Sequence, residues 1–168
     1  MKHNFSFLLV GYWSGLRTGR ELSNGTDLDK RIIDCLAPNI FILEIISSGE
    51  AIYRIAGHSI GSQIGHNPQG RNFFDYWDCR NWKTLKTFFE TAIARDQPLF
   101  LSSVGPTSKT EAIELETVLV PVTILSAQKK NFIGTSFVLG QPGTVKLLSG
   151  VQHLQRIGFV ENELRSGE

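Results

Sequence analysis

Two runs of β-branched and aromatic residues, 39–46 and 51–56, lie on either side of a short Ser/Gly segment. This pattern predicts a β-hairpin. Glu44 and Arg54 both occupy even positions, where they form either a cross-strand ion pair on the solvent face or part of a partner surface. Because side chains alternate along a strand, the odd positions then face inward. The inward-facing set is Phe41, Leu43, Ile45, Tyr53 and Ile55.

Three further β-type runs occur in the second half of the chain, at 99–104, 111–125 and 131–139. Segments rich in turn-forming and polar residues separate them. In the middle run, Glu114 and Glu116 alternate with apolar positions. Such alternation is typical of an antiparallel sheet with one face in solvent, so both carboxylates are predicted to face water.

Helical spacing of apolar residues predicts a short N-terminal helix and a longer central helix. The first covers about 7–17 and presents a face with Phe7, Leu8 and Trp13, which we expect to dock on the edge of the core. The second covers about 81–95. Its predicted buried face contains Trp82, Leu85 and Phe89.

Shorter helical pieces are predicted between these elements. Asp27 can cap a helix that runs through Cys35, and Pro38 ends it. Segment 57–78 is punctuated by glycines and contains only short helical stretches, so it is predicted to wrap the core rather than to span it.

The order of these elements predicts an α+β fold with a five-stranded antiparallel sheet, helices on one face and a flanking N-terminal helix. A chain of 168 residues fits one domain with an extension. We divide it into an N-terminal helical flank at 1–26, a main domain at 27–142 and a C-terminal extension at 143–168. The extension is predicted to be weakly helical or disordered, because Gly150 and Gly158 weaken a helix.

Composition narrows the class of protein. Hydrophobic residues make up 41% of the chain, which is enough for a core. The net charge is +1 and the chain contains no Lys/Arg-rich block, which argues against nucleic acid as a partner. The apolar stretch 5–13 is about half as long as a membrane-spanning helix and lacks a cleavage site, although it resembles part of a signal peptide. We therefore expect a cytoplasmic protein, with Cys35 and Cys79 as reduced thiols.

Four groups of motifs follow one another along the chain: WSGLR at 13–17, LAPNIFILE at 36–44, YRIAG at 53–57 with GHNPQG at 65–70, and LETVLVPV at 115–122. Their joint order resembles a family of stand-alone, mostly alphaproteobacterial PAS proteins long catalogued as of unknown function. The first motif departs from the family pattern, since Ser23 and Lys30 stand near the places where prolines are usual.

The resemblance implies the PAS fold, in which helices lie across a five-stranded antiparallel sheet and a small cavity lies between them. It further implies a single-domain regulatory or sensory module in cytoplasmic signal transduction. Such a module binds a small ligand, signalling proteins such as two-component kinases, or both, and it can form a homodimer. The alternatives are a ligand-free protein-interaction adaptor and a small enzyme on a similar α+β shell.

The two familiar PAS cofactors require residues that this chain lacks at the usual places. A haem sensor needs an axial histidine on or near the central helix, and none occurs at 79–95. The light-sensing flavin type carries Gly-Arg-Asn-Cys, whereas Gly70-Arg71-Asn72 is followed by Phe73. We expect neither haem nor flavin, nor a metal, while an unidentified small ligand stays open.

Nothing in the sequence predicts catalysis, because the common nucleophile, zinc and phosphate-binding motifs are missing. His58 and His66 are candidate polar contacts of a pocket, or else solvated loop residues. Phe7, Leu8 and Trp13 are candidate interface anchors, unless their helix docks only on its own sheet. The candidate pocket lining, which the same spacing also allows as plain core, is Phe41, Leu43, Tyr53, Ile55, Trp82, Leu85 and Phe89.

Overall fold

The structure, a computed structural model, describes residues 1–17, 34, 36–106, 112–124, 129–139 and 152–159. The predicted helix between Asp27 and Cys35 lies outside these ranges except at Asp34. The elements are α1 (Asn4–Arg17), β1 (Ile40–Ser47), β2 (Glu50–Ala56), α2 (His58–Ile64), α3 (Trp82–Arg95), β3 (Leu99–Pro106), β4 (Ala112–Ile124), β5 (Lys129–Leu139) and β6 (His153–Phe159), with short 3₁₀ helices at Ala37–Asn39, Phe73–Tyr76 and Cys79–Asn81.

The strands form one antiparallel sheet in the order β2-β1-β5-β4-β3-β6. The predicted hairpin and the three later strands are confirmed, but the predicted count of five is one short. The additional strand, β6, pairs with β3 at the edge of the sheet. It lies in the segment that the sequence predicts to be weakly helical or disordered, and this prediction is wrong for residues 153–159.

A β-bulge in β2 changes which side chains of the hairpin face inward. Ile42 pairs with Ile55 and the next residue, Leu43, pairs with Tyr53, so in the strand register no β1 residue lies opposite Arg54. An extra residue of this kind reverses the alternation along the strand. Tyr53 is therefore 4% exposed and Ile55 is 54% exposed, and the inward prediction is wrong for Ile55.

The inner face of the sheet carries the main core, which α2 and α3 cover. Leu85 and Phe89 on α3 are buried in it, as predicted. Trp82 is not buried, because it is the first residue of α3 and its side chain lies partly exposed at the surface. Its indole N–H donates to the carbonyl of Trp77 at 3.0 Å. The prediction of a buried Trp82 is therefore wrong.

The outer face of the sheet is covered in its middle by α1. Leu9, Val10 and Trp13 pack on Val118 and Val120 of β4, so α1 lies across the face rather than at the edge of the core. Helices consequently occupy both faces. The indole N–H of Trp13 also donates to the carbonyl of a β4 residue, Pro121, at 2.7 Å.

Glu116 anchors the start of α1. The backbone N–H groups of Lys2 and His3 both donate to its carboxylate, the latter at 3.0 Å. These two residues directly precede α1, and a carboxylate at this end of a helix interacts favourably with the helix dipole. Glu116 is fully buried beneath this segment, so the predicted solvent face at this position is wrong.

In the part of the chain that the structure describes, no helix has the length and apolar character that a bilayer crossing requires. Cys79 is a free thiol, as predicted, and it is exposed, whereas Cys35 is not among the described residues.

Candidate functional site

Aromatic rings fill the space between the helical layer and the sheet. Ring centroids are 5.4 Å apart for Phe41 and Tyr53, 5.9 Å for Tyr53 and Phe73, 5.3 Å for Phe73 and Phe89, and 5.0 Å for Phe89 and Phe132. These spacings are those of packed aromatic pairs. The rings therefore form a continuous stack from β1 and β2 across to α3 and β5.

The cavity that this packing leaves has a volume of about 10 Å³. A single water molecule needs about 10–15 Å³ by the same measure. A flavin or a haem, with dozens of heavy atoms, does not fit between the described residues without displacing several rings. The lining consists of Phe41, Tyr53, Ile60, Gln63, Ile64, Phe73, Trp77, Thr117, Ser136 and Gln152.

The predicted pocket residues are divided among three places. Phe41 and Tyr53 line the small cavity. Leu43, Leu85 and Phe89 are buried in the surrounding core, while Ile55 and Trp82 lie at the surface.

The polar part of the lining was not found from the sequence. Thr117 and Ser136 are opposite each other in β4 and β5, and the Thr117 hydroxyl donates to Ser136 Oγ at 3.0 Å. Gln63 Nε2 donates to the Ser136 carbonyl at 3.2 Å, and Gln152 Oε1 accepts from the hydroxyl of Ser103 at 2.7 Å. The available signal was a pair of hydroxyl residues at inward positions of neighbouring strands.

The tyrosines near this cavity stay protonated at neutral pH. Burial raises the pKa of Tyr53, and the neighbouring Tyr76 raises it further. Burial also raises the pKa of Tyr76, with Arg71 acting in the opposite direction. The cavity is therefore surrounded by neutral hydroxyl and amide groups, which can form hydrogen bonds but are not an acid/base pair near pH 7.

A larger hollow, of about 700 Å³, lies at the surface around α2. The structure brings His58 and His66, the two predicted polar contacts, to this same hollow. The His66 ring is fixed by a hydrogen bond of 2.9 Å between Nε2 and the hydroxyl of Tyr76. The remaining lining is small or polar: Ala56, Gly57, Gly61, Ser62, Gly65 and Asn67.

The hollow offers hydrogen-bonding groups but no metal centre. Among the described residues, no group of three or more His, Cys, Asp or Glu side chains could hold a metal ion. Imidazole, hydroxyl and amide groups around an open depression suit a small polar molecule or the side chain of a partner protein.

The three candidate interface residues on α1 also separate. Phe7 is 53% exposed and Leu8 is 39% exposed, so both side chains are accessible at the surface. Trp13 is 4% exposed and packs on the sheet, so its assignment as a docking anchor for another chain is wrong. The reason is the position of α1 across the face of β4.

The N-terminal segment is held by polar groups as well as by α1. Lys2 Nζ forms an ion pair with Glu114 at 2.7 Å, and the His3 ring stacks on Phe137 at 3.8 Å. The N–H of Phe5 donates to His3 Nδ1 at 3.3 Å, which requires an unprotonated nitrogen. Burial lowers the pKa of His3, against the opposing influence of Glu116.

A helical layer across an antiparallel sheet, with a small enclosed cavity between the two, defines the class of PAS domains that the sequence resembles. A family model described as a PAS domain matches residues 1–137. The chain belongs to this family. PAS domains generally serve in sensing and signalling. A comparison with curated proteins finds no match.

The solved structures to which the chain is similar have low sequence identity to it. An RNA-binding light-oxygen-voltage receptor is 15% identical, with 70% of this chain and 35% of that chain covered and a TM-score of 0.49. The ligand and DNA complex of VqmA from Vibrio cholerae is 13% identical, with 69% and 53% covered and a TM-score of 0.48. The PAS domain of BvgS from Bordetella pertussis is 13% identical, with 69% and 89% covered and a TM-score of 0.46. The chain thus spans only about a third to a half of the first two proteins.

Proposed function

We propose that the protein is a PAS regulatory module of cytoplasmic signal transduction that acts through its surface and encloses no organic cofactor. The observation that carries this proposal is the aromatic packing of the interior, which leaves a cavity of about 10 Å³. Of the two non-enzymatic functions that the sequence allows, this packing favours the interaction adaptor over the sensor with an internal ligand.

The packing around Phe73 supports the exclusion of flavin in particular. Phe73 occupies the position at which the light-sensing type carries its reactive cysteine. Its ring lies 5.9 Å from Tyr53, 5.3 Å from Phe89 and 5.5 Å from Trp77, measured between centroids. A ring in this position supplies no nucleophile for an adduct with flavin.

The absorption spectrum tests this part of the proposal. Freshly purified protein, and protein incubated with flavin mononucleotide or haem and then desalted, should show no visible band. A Soret band near its usual position, or a flavin spectrum that survives desalting, contradicts the proposal.

Without a ligand inside, regulation depends on contacts with other proteins. The resemblance points to signalling proteins such as two-component kinases as partners. Exposed apolar side chains that are suited to such contacts occur on α1, at Phe7 and Leu8, and on the hairpin, at Ile46 and Ile55. Exposed apolar groups on an otherwise polar surface are typical of interaction sites when they are contiguous.

One observation favours a second candidate function, which is sensing of a small polar molecule at the surface. The hollow of about 700 Å³ places His58 and His66 together, and it is large enough for a ligand of ordinary size. Binding there would shift the NMR signals of these two imidazoles. A metabolite screen in which neither histidine responds would leave only the adaptor function.

The enzyme alternative has the least support. An acid or base that works near neutral pH needs a titratable group in a pocket. The polar side chains among the lining residues of the interior cavity are the amides of Gln63 and Gln152, the hydroxyls of Thr117, Ser136 and Tyr53 and the indole of Trp77. His58 and His66 are titratable, but they line an open hollow whose lining residues include no carboxylate or other charged group, so we propose a function without catalysis.

A further inference from the structure

Trp77 carries a buried hydrogen-bond donor that the described residues leave unpaired. The residue is 3% exposed, and its Nε1–H has no acceptor within the ranges that the structure describes. The other two indoles both donate, Trp13 to Pro121 and Trp82 to Trp77 itself. A buried donor without an acceptor destabilises the fold, because it has lost its hydrogen bond to water, so the Trp77 indole requires a partner.

The small interior cavity adjoins this residue. Trp77 is one of its lining residues, together with the polar side chains of Gln63, Thr117, Ser136 and Gln152. The volume of about 10 Å³ matches one water molecule and excludes anything much larger. A buried water needs two to four polar partners, and this lining provides them.

We propose that this cavity binds a single water molecule, which accepts a hydrogen bond from the Trp77 indole and donates to oxygen atoms of the polar lining. Two such oxygens retain acceptor capacity. Gln152 Oε1 accepts one hydrogen bond, from Ser103, and an amide oxygen has two lone pairs. Ser136 Oγ accepts one, from Thr117, and a hydroxyl oxygen also has two lone pairs.

The position of Gln152 gives this water a structural role. The backbone N–H of Gln152 donates to the carbonyl of Tyr76 at 2.7 Å, and its carbonyl accepts from the N–H of Asp78 at 2.9 Å. Gln152 directly precedes β6 and lies beyond the residues that the family model matches. The bound water therefore joins the C-terminal strand to the interior of the domain, and the site is incomplete without that strand.

Nuclear magnetic resonance of the full chain tests the site directly, because the chain has only three tryptophans. We expect a cross-peak between water and the Trp77 indole proton with the sign of a long-lived bound water rather than of hydrogen exchange. The buried Trp13 indole, which donates to a carbonyl, is the internal control and should show none. A wild-type spectrum in which Trp77 behaves like Trp13 overturns the proposal.

Two variants on the same segment separate the site from the general stability of the strand. Gln152→Leu removes the amide oxygen from the cavity, and the water cross-peak of Trp77 should be lost. Gln155→Leu is the matched control, since Gln155 is exposed on β6 and should leave the cross-peak intact. Loss in both variants, or in neither, contradicts the assigned site.

This inference rests on the closed interior of the proposed function, yet the two fail in different ways. An organic ligand of several hundred daltons that is released from the purified protein, and whose binding leaves the NMR signals of His58 and His66 in the surface hollow unchanged, overturns the proposed function. If the protein releases no such ligand and the Trp77 indole shows no bound water, only the water site is overturned.

Discussion

At the scale of single residues, Gly134 determines how closely the inner face of the sheet packs. It pairs with Phe41 on one side and Leu119 on the other, in the middle of the sheet. A β-carbon at this position would lie 2.3 Å from Phe41 Cζ and 2.7 Å from Leu119 Cδ2. The Phe41 ring, which begins the aromatic stack, occupies the space that any other residue would need.

We expect Gly134→Ala to lower the free energy of unfolding by about 1–3 kcal/mol, since the added methyl group forces these side chains to move. Gly158→Ala is the matched control, because a β-carbon there meets nothing within 4 Å. Denaturant titration of both variants provides the measurement. Equal stabilities would show that the sheet does not pack as described.

Glu116 is the second residue whose chemistry governs a larger part of the molecule. It is buried, and it receives two backbone N–H groups from the segment that begins α1. Hydrogen bonds to a charged group that is shielded from water contribute more than those at the surface.

Glu116→Gln should therefore destabilise the protein by about 1–3 kcal/mol, because the charge and one good acceptor are lost. Glu114→Gln removes the neighbouring carboxylate, whose ion pair with Lys2 is at the surface, and should cost less than about 1 kcal/mol. Chemical denaturation followed by tryptophan fluorescence compares them. A larger loss for Glu114→Gln would contradict the anchoring role of Glu116.

At the scale of elements, α1 combines a buried face with an exposed one. Leu9, Val10 and Trp13 fix it to the outer face of the sheet, while Phe7 and Leu8 point away from that contact. The helix is thus partly a cover for its own sheet. Its exposed side is what we propose as the surface for self-association, in keeping with the homodimer that the resemblance implies.

The double variant Phe7→Ser, Leu8→Ser tests this surface without removing the cover. If α1 mediates dimerisation, light scattering at tens of micromolar should show a dimer for the wild-type chain and a monomer for the variant. A monomeric wild-type protein, or a variant that remains dimeric, would rule out self-association through these residues.

The same elements show what the sequence could predict. Strand alternation and helical spacing are local, so the hairpin, α3 and strands β3 to β5 were found within a few residues. The burial of Glu116 and the exposure of Ile55 depend instead on a helix from a distant part of the chain and on a bulge. Likewise β6 is a strand because β3 offers it an edge, whereas its own sequence, with Gly158, has little preference.

At the scale of the whole molecule, the chain is a member of the PAS family, and in the part that the structure describes its own side chains pack the space between sheet and helices. The sequence suggested the absence of haem and flavin through two missing residues. That absence stays a prediction; among the described residues, the rings of Phe41, Tyr53, Phe73 and Phe89 lie between the sheet and the helices. Under the proposed function, the module acts through contacts on its exterior, so the sites to examine are the exposed side of α1 and the histidine-lined hollow.

Native mass spectrometry of the full chain, purified under mild conditions, tests the closed interior most directly. The account predicts the mass of the polypeptide, or of its dimer, with nothing attached beyond a few water molecules. A stoichiometric additional mass of several hundred daltons that is released on denaturation, and whose binding leaves the NMR signals of His58 and His66 unchanged, would contradict it, because the described residues leave no space of that size beside the aromatic stack.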